Sequence, residues 1–243
     1  MPTHAIEVNV GSAETFHKMT PETLKYWSAY YASRSDWLIG RRGYSKDGCR
    51  QITIGGSDAP VVAGVSSFKT RQELADELLG KAEPPDLSEN ENVKRGVASE
   101  PLVRALFAVE HPNLNVFDGT GIVFYSKQYP WMSASLDGIC IEPSTGRIYI
   151  LELKSCLWSR QWQGDYAPDN YFVQVLHQLA VTGWDGVFLH PRVIGQRVTT
   201  ERDYFFTREQ CAEQIECLAE DERRFVTDLE KGVPVSAKIP TIL

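Results

Sequence analysis

The chain has 243 residues, 42% of them hydrophobic, and a formal net charge of −7. That length and apolar content suit one sizeable α/β core; no apolar run approaches the ~18 residues of a membrane span, and the start MPTHAIEVNV lacks the basic-then-apolar order of a signal peptide. The acidic balance argues against a simple DNA-coating protein, which would be basic, and five cysteines, an odd number without framework spacing, point to a reducing cytoplasm.

In chain order, Thr20 before Pro21 predicts a helix N-cap with proline at the first helical position. The surrounding stretch is locally basic: Lys25, Arg34, Arg41, Arg42, Lys46 and Arg50 face only Asp36 and Asp47. Charge alone reads this as a solvated face, yet an enzyme can grip DNA in one basic groove and be acidic elsewhere. Thr70 and Glu73 form a capping box for a helix ending near Gly80. The segment 81–92, KAEPPDLSENEN, is polar and proline-bearing and reads as a mobile loop. Strands are predicted over 122–126, 133–142, 147–155, 187–189 and 204–206, with a helix over 170–182. Thr207 and Gln210 repeat the capping pattern before a last helix that places Cys211, Ile215, Leu218, Phe225, Val226 and Leu229 on one side and stops near Gly232. The tail 232–243 carries two prolines and is expected to run extended. This order of elements predicts an α/β fold with a mixed central β-sheet flanked by helices.

The segment 133–155, SASLDGICIEPSTGRIYILELKS, is the most informative. Pro143-Ser144-Thr145-Gly146 is a turn signal between two apolar, β-rich runs. In a symmetric antiparallel hairpin about that turn, Asp137 falls opposite Glu152, and directly opposed Cβ atoms are about 4.5–5.5 Å apart. Two carboxylates so placed repel unless a proton or a cation lies between them. Lys154, two residues beyond Glu152, projects from the same face, while Leu151 and Leu153 point the other way. Charges at the end of such an apolar strand are costly unless they are paired or bind a metal. Oxygen ligands suit Mg²⁺, and a neighbouring lysine can neutralise charge developing on a phosphoryl group. E-x-K alone is equally an ordinary structural ion pair; aspartate followed by E-x-K in hairpin register is the stronger pattern.

Asp137-Gly138 followed by Glu152-Leu153-Lys154 resembles the PD-(D/E)xK nuclease core, with Leu136 in place of the proline. Within that superfamily the chain resembles the λ exonuclease and YqaJ-like viral recombinase nuclease family. Ile54-Gly55-Gly56-Ser57-Asp58, Gly96-x-x-x-Glu100-Pro101, Ser135-Leu136-Asp137-Gly138, Glu152-Leu153-Lys154-Ser155 and Tyr171-x-x-Gln174-x-x-x-Gln178 occur in the family's order over about residues 50–190. The resemblance implies a restriction-endonuclease-like core in a single nuclease domain spanning 1–243. In that division, 1–49 is an N-terminal helical region and 207–243 a C-terminal helix and tail. It implies Asp137, Glu152 and the Leu153 carbonyl as metal ligands, Lys154 as the catalytic lysine, and Glu100 and Gln174 as further catalytic members. Mg²⁺ is the implied cofactor, with Mn²⁺ able to substitute. Without the family, Glu100 is equally a first-turn partner of a helix dipole and Gln174 a solvent-facing helix residue.

A 5′-phosphate pocket is expected from Arg50, Ser57 and a helix beginning at Ser57. Gly55-Gly56 permits close backbone approach, and a helix start offers free N–H groups to an anion. Local chemistry reads Ser57 equally as a helix cap and Arg50 as a surface charge; the resemblance favours the pocket. Some related nucleases hold an iron–sulfur cluster on four cysteines, but Cys49, Cys211 and Cys217 supply too few ligands. Cys140, Cys156 and Cys211 read as packing residues. His111, His177 and His190 lack zinc-ligand spacing.

The expected activity is a metal-dependent 5′→3′ exonuclease on linear duplex DNA, leaving 3′ single strands for phage-type recombination. An endonuclease or nickase on the same core and a catalytically silent DNA-binding scaffold are the alternatives. The implied partners are double-stranded DNA ends, a single-strand annealing recombinase and further copies of the chain in a trimeric ring, with no membrane. The implied setting is the cytoplasm of a bacterial host cell, for a phage or prophage protein.

Overall fold

The computed structural model describes residues 9–41, 52–157, 160–162, 164–195 and 197–236. In chain order the elements are β1 (Val10–Gly11), α1 (Ala13–Met19), β2 (Tyr26–Tyr30), α2 (Arg34–Gly40), α3 (Ala59–Val62), α4 (Arg71–Leu78) and α5 (Glu91–Glu110). There follow β3 (Asn115–Asp118), β4 (Ile122–Ser126), β5 (Ser133–Ala134), β6 (Gly138–Glu142), β7 (Arg147–Leu157), α6 (Asp169–Thr182), β8 (Gly186–Ile194), β9 (Thr199–Glu201), β10 (Tyr204–Thr207) and α7 (Ala212–Glu230). The main sheet runs β1-β3-β6-β7-β8-β10, and β9 also pairs with β8. Its β1–β3 and β7–β8 pairs are parallel and the others antiparallel, so the sheet is mixed as expected. A smaller antiparallel sheet runs β2-β4-β5.

Alternation along β6 and β7 builds two cores. Ile139 and Ile150 pack with Leu176, Leu179 and Val173 of α6 on one face. Cys140, Tyr149, Leu151 and Leu153 pack with Val103 and Phe107 of α5 on the other. A period of two on each strand thus sandwiches the sheet between α6 and α5. A third cluster joins Val61, Leu74 and Phe225 from α3, α4 and α7. Among the described residues no helix is long and apolar enough to cross a membrane.

Several expectations are met locally. The Thr70–Glu73 capping box forms in both directions and starts α4; the reciprocal Thr207–Gln210 bonds also form, but they close a turn ahead of α7, whose N-cap is Cys211 without a side-chain cap bond. Others are corrected. No helix begins at Pro21: Thr20 closes α1, the Pro21 carbonyl accepts the Ser28 N–H at 2.8 Å, and Thr23 N–H donates to Tyr26. The chain turns there into β2, whose alternate residues Tyr26 and Ser28 are buried, so burial of an aromatic face overrides the capping signal. The polar loop ends sooner than expected, at Asn90, whose side chain accepts the N–H groups of Asn92 and Val93 and starts α5. Glu100 is therefore the tenth residue of a 20-residue helix, not a first-turn residue, and Pro101 lies inside that helix. The strand expected over 133–142 breaks at Ser135-Leu136-Asp137, where the chain leaves the small sheet for the main one. Cys49, Arg50 and the last seven residues of the tail lie outside the described residues.

Candidate active site

The β6–β7 register is the one the turn dictates. Glu142 pairs with Arg147, Ile141 with Ile148, and so on to Gly138 opposite Leu151. Asp137 would pair next, opposite Glu152, but the ladder has ended. The Asp137 carboxylate instead accepts the Leu153 N–H through Oδ2 at 2.8 Å. The crossing is held on both sides. Arg104 of α5, 3% exposed, donates from Nε to the Asp137 carbonyl at 2.9 Å and pairs through Nη2 with Asp118 at 3.0 Å. At Gly119 a Cβ would lie 2.3 Å from the Leu136 carbonyl oxygen, so only glycine lets β3's end approach the Asp137 step.

Glu152 is 2% exposed, and its carboxylate is enclosed by donors. Gln174 Nε2 donates to Oε1 at 2.7 Å, Gln178 Nε2 to Oε2 at 2.6 Å, and the Lys154 ammonium pairs with Oε1. Lys154 also lies 5.2 Å from the centre of the Tyr171 ring. The stripe Tyr171, Gln174 and Gln178 on α6 thus faces Glu152 and Lys154 as one set, because residues three and four apart share a helix face. The Gly55-Gly56 loop lies behind the glutamines. It is hooked to the strand entering β5 by Ile54 N–H to Trp131 O and Ser133 N–H to Ile54 O. A Cβ on Gly56 would touch Gln178 and Gln174 at 3.5 and 3.6 Å. Behind α6, His177 spans Glu222 of α7 (Nδ1, 2.8 Å) and the Ser133 carbonyl (Nε2, 2.9 Å).

Glu100 reaches the end of β7 from the α5 side. It lines a cleft of about 310 Å³ with Val103, Leu153, Lys154 and Ser155. The electrostatics bind these groups together. Burial first, then the Glu152 and Glu100 carboxylates, push Asp137 well above the usual carboxylate range against the pull of Lys154 and the Leu153 N–H. Burial also raises Glu100, which Arg104 draws down and Glu152 pushes up. Burial disfavours the Lys154 charge, but Glu152 and Asp137 outweigh it and its pKa is raised. Asp137, Glu152, Glu100 and Lys154 are near enough to act on one another's charge, and carboxylate oxygens are the donor type that a hard divalent cation takes.

The expected phosphate pocket is only partly assembled. Ser57 does not cap a helix. Asp58 holds the N-cap position of the four-residue α3 without a side-chain cap bond, and its carboxylate turns back to accept Gly55 N–H at 3.2 Å. Ser57 is exposed and accepts from Arg41 Nη2 at 3.4 Å, while Arg41 lies over the Trp37 ring at 4.7 Å. Arg50 lies outside the described residues. Sequence reasoning therefore overlooked Arg41 beside Ser57, Gln178 as the second clamp on Glu152, and Arg104 behind Asp137. Arg104 was detectable as the i+4 partner of Glu100, and Gln178 as the next turn of the Gln174 face. The cysteine readings agree with the structure: Cys140, Cys156 and Cys211 are free thiols, and Cys140 and Cys211 are buried.

Comparison with known proteins places this arrangement. YqaJ of Bacillus subtilis (strain 168) is 31% identical over 153 residues, which are 62% of this chain and 43% of that protein, so the match spans less than half the length of that relative. The fold is that of an alkaline exonuclease, LHK-Exo, from Laribacter hongkongensis (TM-score 0.57, 18% identity, 82% of this chain and 93% of that one). It is also that of a phage related exonuclease from Haemophilus somnus 129PT (TM-score 0.50, 12% identity, 74% of this chain and 96% of that one). These likenesses are likenesses of fold: mixed α/β, with a central mixed sheet flanked by helices. The YqaJ-like viral recombinase domain matches residues 36–185, more than half of the chain, and the protein belongs to that family.

Proposed function

We propose that this protein is a divalent-metal-dependent deoxyribonuclease, a single nuclease domain that digests linear duplex DNA 5′→3′. The observation that carries the reading is the buried Glu152 carboxylate, clamped by Gln174, Gln178 and Lys154 beside Asp137 and Glu100. Asp137, Glu152 and the Leu153 carbonyl would hold Mg²⁺, with Mn²⁺ able to replace it. When bound, the cation supplies Lewis-acid stabilisation of the phosphodiester and lowers the pKa of water.

The chain's own residues do the rest. The two glutamine amides fix Glu152 in one orientation, as preorganisation requires. The Leu153 N–H and Arg104 fix Asp137 on both its carboxylate and its backbone sides. Lys154 carries its charge beside these carboxylates, where it can meet negative charge building on the phosphoryl oxygens. Glu100, with its raised pKa, is suited to hold or release a proton at the cleft. Ser57 and Arg50, joined by Arg41, would take the 5′-terminal phosphate, since guanidinium groups bind phosphate in a forked geometry.

The resemblance to the λ exonuclease group supplies the remaining parts of the reading: a homotrimeric ring on DNA ends, 3′ single strands as product, a single-strand annealing recombinase as partner, and a bacterial cytoplasm as setting. The test is digestion of linear and circular duplexes with Mg²⁺, using 5′-phosphorylated and dephosphorylated ends. Loss of linear DNA alone, faster from phosphorylated ends and abolished by EDTA, is the expected result. Cutting of circular DNA would replace the exonuclease reading with an endonuclease. No cutting with Mg²⁺ or Mn²⁺ would leave a DNA-binding scaffold.

A further inference from the structure

A second set of ligand-bearing side chains gathers at the far end of α5. One imidazole nitrogen of His190 and one carboxylate oxygen each of Glu110 and Glu201 lie within 4.8 Å of one another. They come from three elements: Glu110 is the last residue of α5, His190 is on β8, and Glu201 ends β9. The fold brings them together through ordinary packing. Phe107, one turn before Glu110, meets the Phe188 and His190 rings edge-on at 5.3 and 5.4 Å. The β8–β9 pairing sets Glu201 opposite Arg192, two residues beyond His190.

The setting of His190 follows from its partners. The side chain is 1% exposed, and Nδ1 lies 2.6 Å from Asp203 Oδ1. The other oxygen of Asp203 lies 2.8 Å from His111 Nε2. Of the two ring nitrogens, Nδ1 is the one engaged by a carboxylate and Nε2 is the one left for a further partner. Nε2 is buried and has no hydrogen-bond partner. Leaving a buried polar atom unpaired is costly, and the groups gathered with His190 are two carboxylates. A cation would satisfy all three groups at once.

We propose that Glu110, His190 Nε2 and Glu201 form an accessory divalent-cation site of zinc-type chemistry, which ties the end of α5 to the β8–β9 edge of the sheet. One imidazole and two carboxylates with a place left for water match Zn²⁺ and similar transition ions. Mg²⁺ prefers all-oxygen octahedral sites and gives up its water reluctantly. Asp203 acts as the outer carboxylate that orients a metal-bound imidazole. Arg192 Nη1 holds Glu201 Oε1 at 3.1 Å, which steadies that carboxylate. Glu110 lies ten positions beyond Glu100 on the same helix, a rise of about 15 Å, so the ion shares no ligand with the Asp137–Glu152 centre. It would steady the helix whose middle carries Glu100 and Arg104. The site needs no nuclease activity and stands or falls apart from it.

The test uses the full chain with Asp137→Asn, which silences the other centre, stripped with a chelator and titrated with Zn²⁺ by calorimetry and with Co²⁺ by visible absorption. One zinc equivalent is expected, retained in excess Mg²⁺, with Co²⁺ absorption bands of a nitrogen–oxygen site. Glu110→Gln, at an exposed position that leaves the fold intact, should weaken zinc binding at least ~10-fold and remove the zinc-induced rise in Tm. Adding Glu201→Gln should abolish both. No zinc equivalent in the Asp137→Asn protein, or equal affinity in Glu110→Gln, would overturn the proposal.

Discussion

The Leu153 N–H donates to Oδ2 of Asp137 at 2.8 Å, one step past the last rung of the β6–β7 ladder. The bond brings Asp137 to the middle of β7, beside Glu152, although its backbone has already turned toward the small sheet. Asn can accept the same N–H through its amide oxygen, so Asp137→Asn changes the charge and keeps the geometry. Metal-dependent cleavage should fall by about 10²–10³-fold, the scale of losing one electrostatic stabiliser. Asp137 has a raised pKa in the fold, so its contribution to stability is present at low pH and lost as pH rises through that value. At neutral pH in EDTA, Asp137→Asn should therefore have a higher Tm than the parent. A lower Tm would mean that the crowded carboxylate is not a source of strain.

Lys154 should act on turnover more than on DNA affinity. Its ammonium is turned inward to Glu152 and Tyr171. Lys154→Ala should slow single-turnover cleavage of bound duplex by ~10²-fold or more, with DNA affinity changed far less. Collapse of affinity with an unchanged rate on bound DNA would make Lys154 a phosphate anchor.

The two glutamines should differ in stability cost. Gln178 is buried and Gln174 half-buried, yet both donate to Glu152. Gln178→Leu strands Glu152 Oε2 in the interior and should cost ~1–3 kcal/mol in urea unfolding. Gln174→Leu should cost less, because water can replace its bond. Equal costs would show that the clamp is no tighter on its buried side.

Stability should fall on the alkaline side through His177. Burial opposes its charge, but Glu222 and the Ser133 carbonyl outweigh burial and raise its pKa above the ordinary 6.5. The folded state thus keeps a proton that the unfolded chain releases. The contribution is complete below pH 6.5 and is lost as pH rises through the higher folded value. His177→Gln should flatten the decline in Tm above pH 6.5, and an unchanged slope would assign it to another group.

Much of the candidate site was legible from local periodicity. The four-residue turn 143–146 set the hairpin register, and the 3/4 spacing of Tyr171, Gln174 and Gln178 made them one face, because both depend only on neighbours in the chain. The Thr70–Glu73 box was legible for the same reason. Pairing between distant segments was not. Thr20-Pro21 carries a sound capping signal, but β2 pairs with β4 a hundred residues on and buries Tyr26 instead. Ser57 looked like a helix cap until the Asp58 carboxylate took Gly55 N–H. The histidines lack zinc spacing in sequence, yet Glu110, His190 and Glu201 meet because α5, β8 and β9 pack at one corner. Sequence by itself determined what repeats every two or four residues. Tertiary structure alone decided which carboxylate met which donor, because burial compels each polar group to find a partner wherever the fold supplies one.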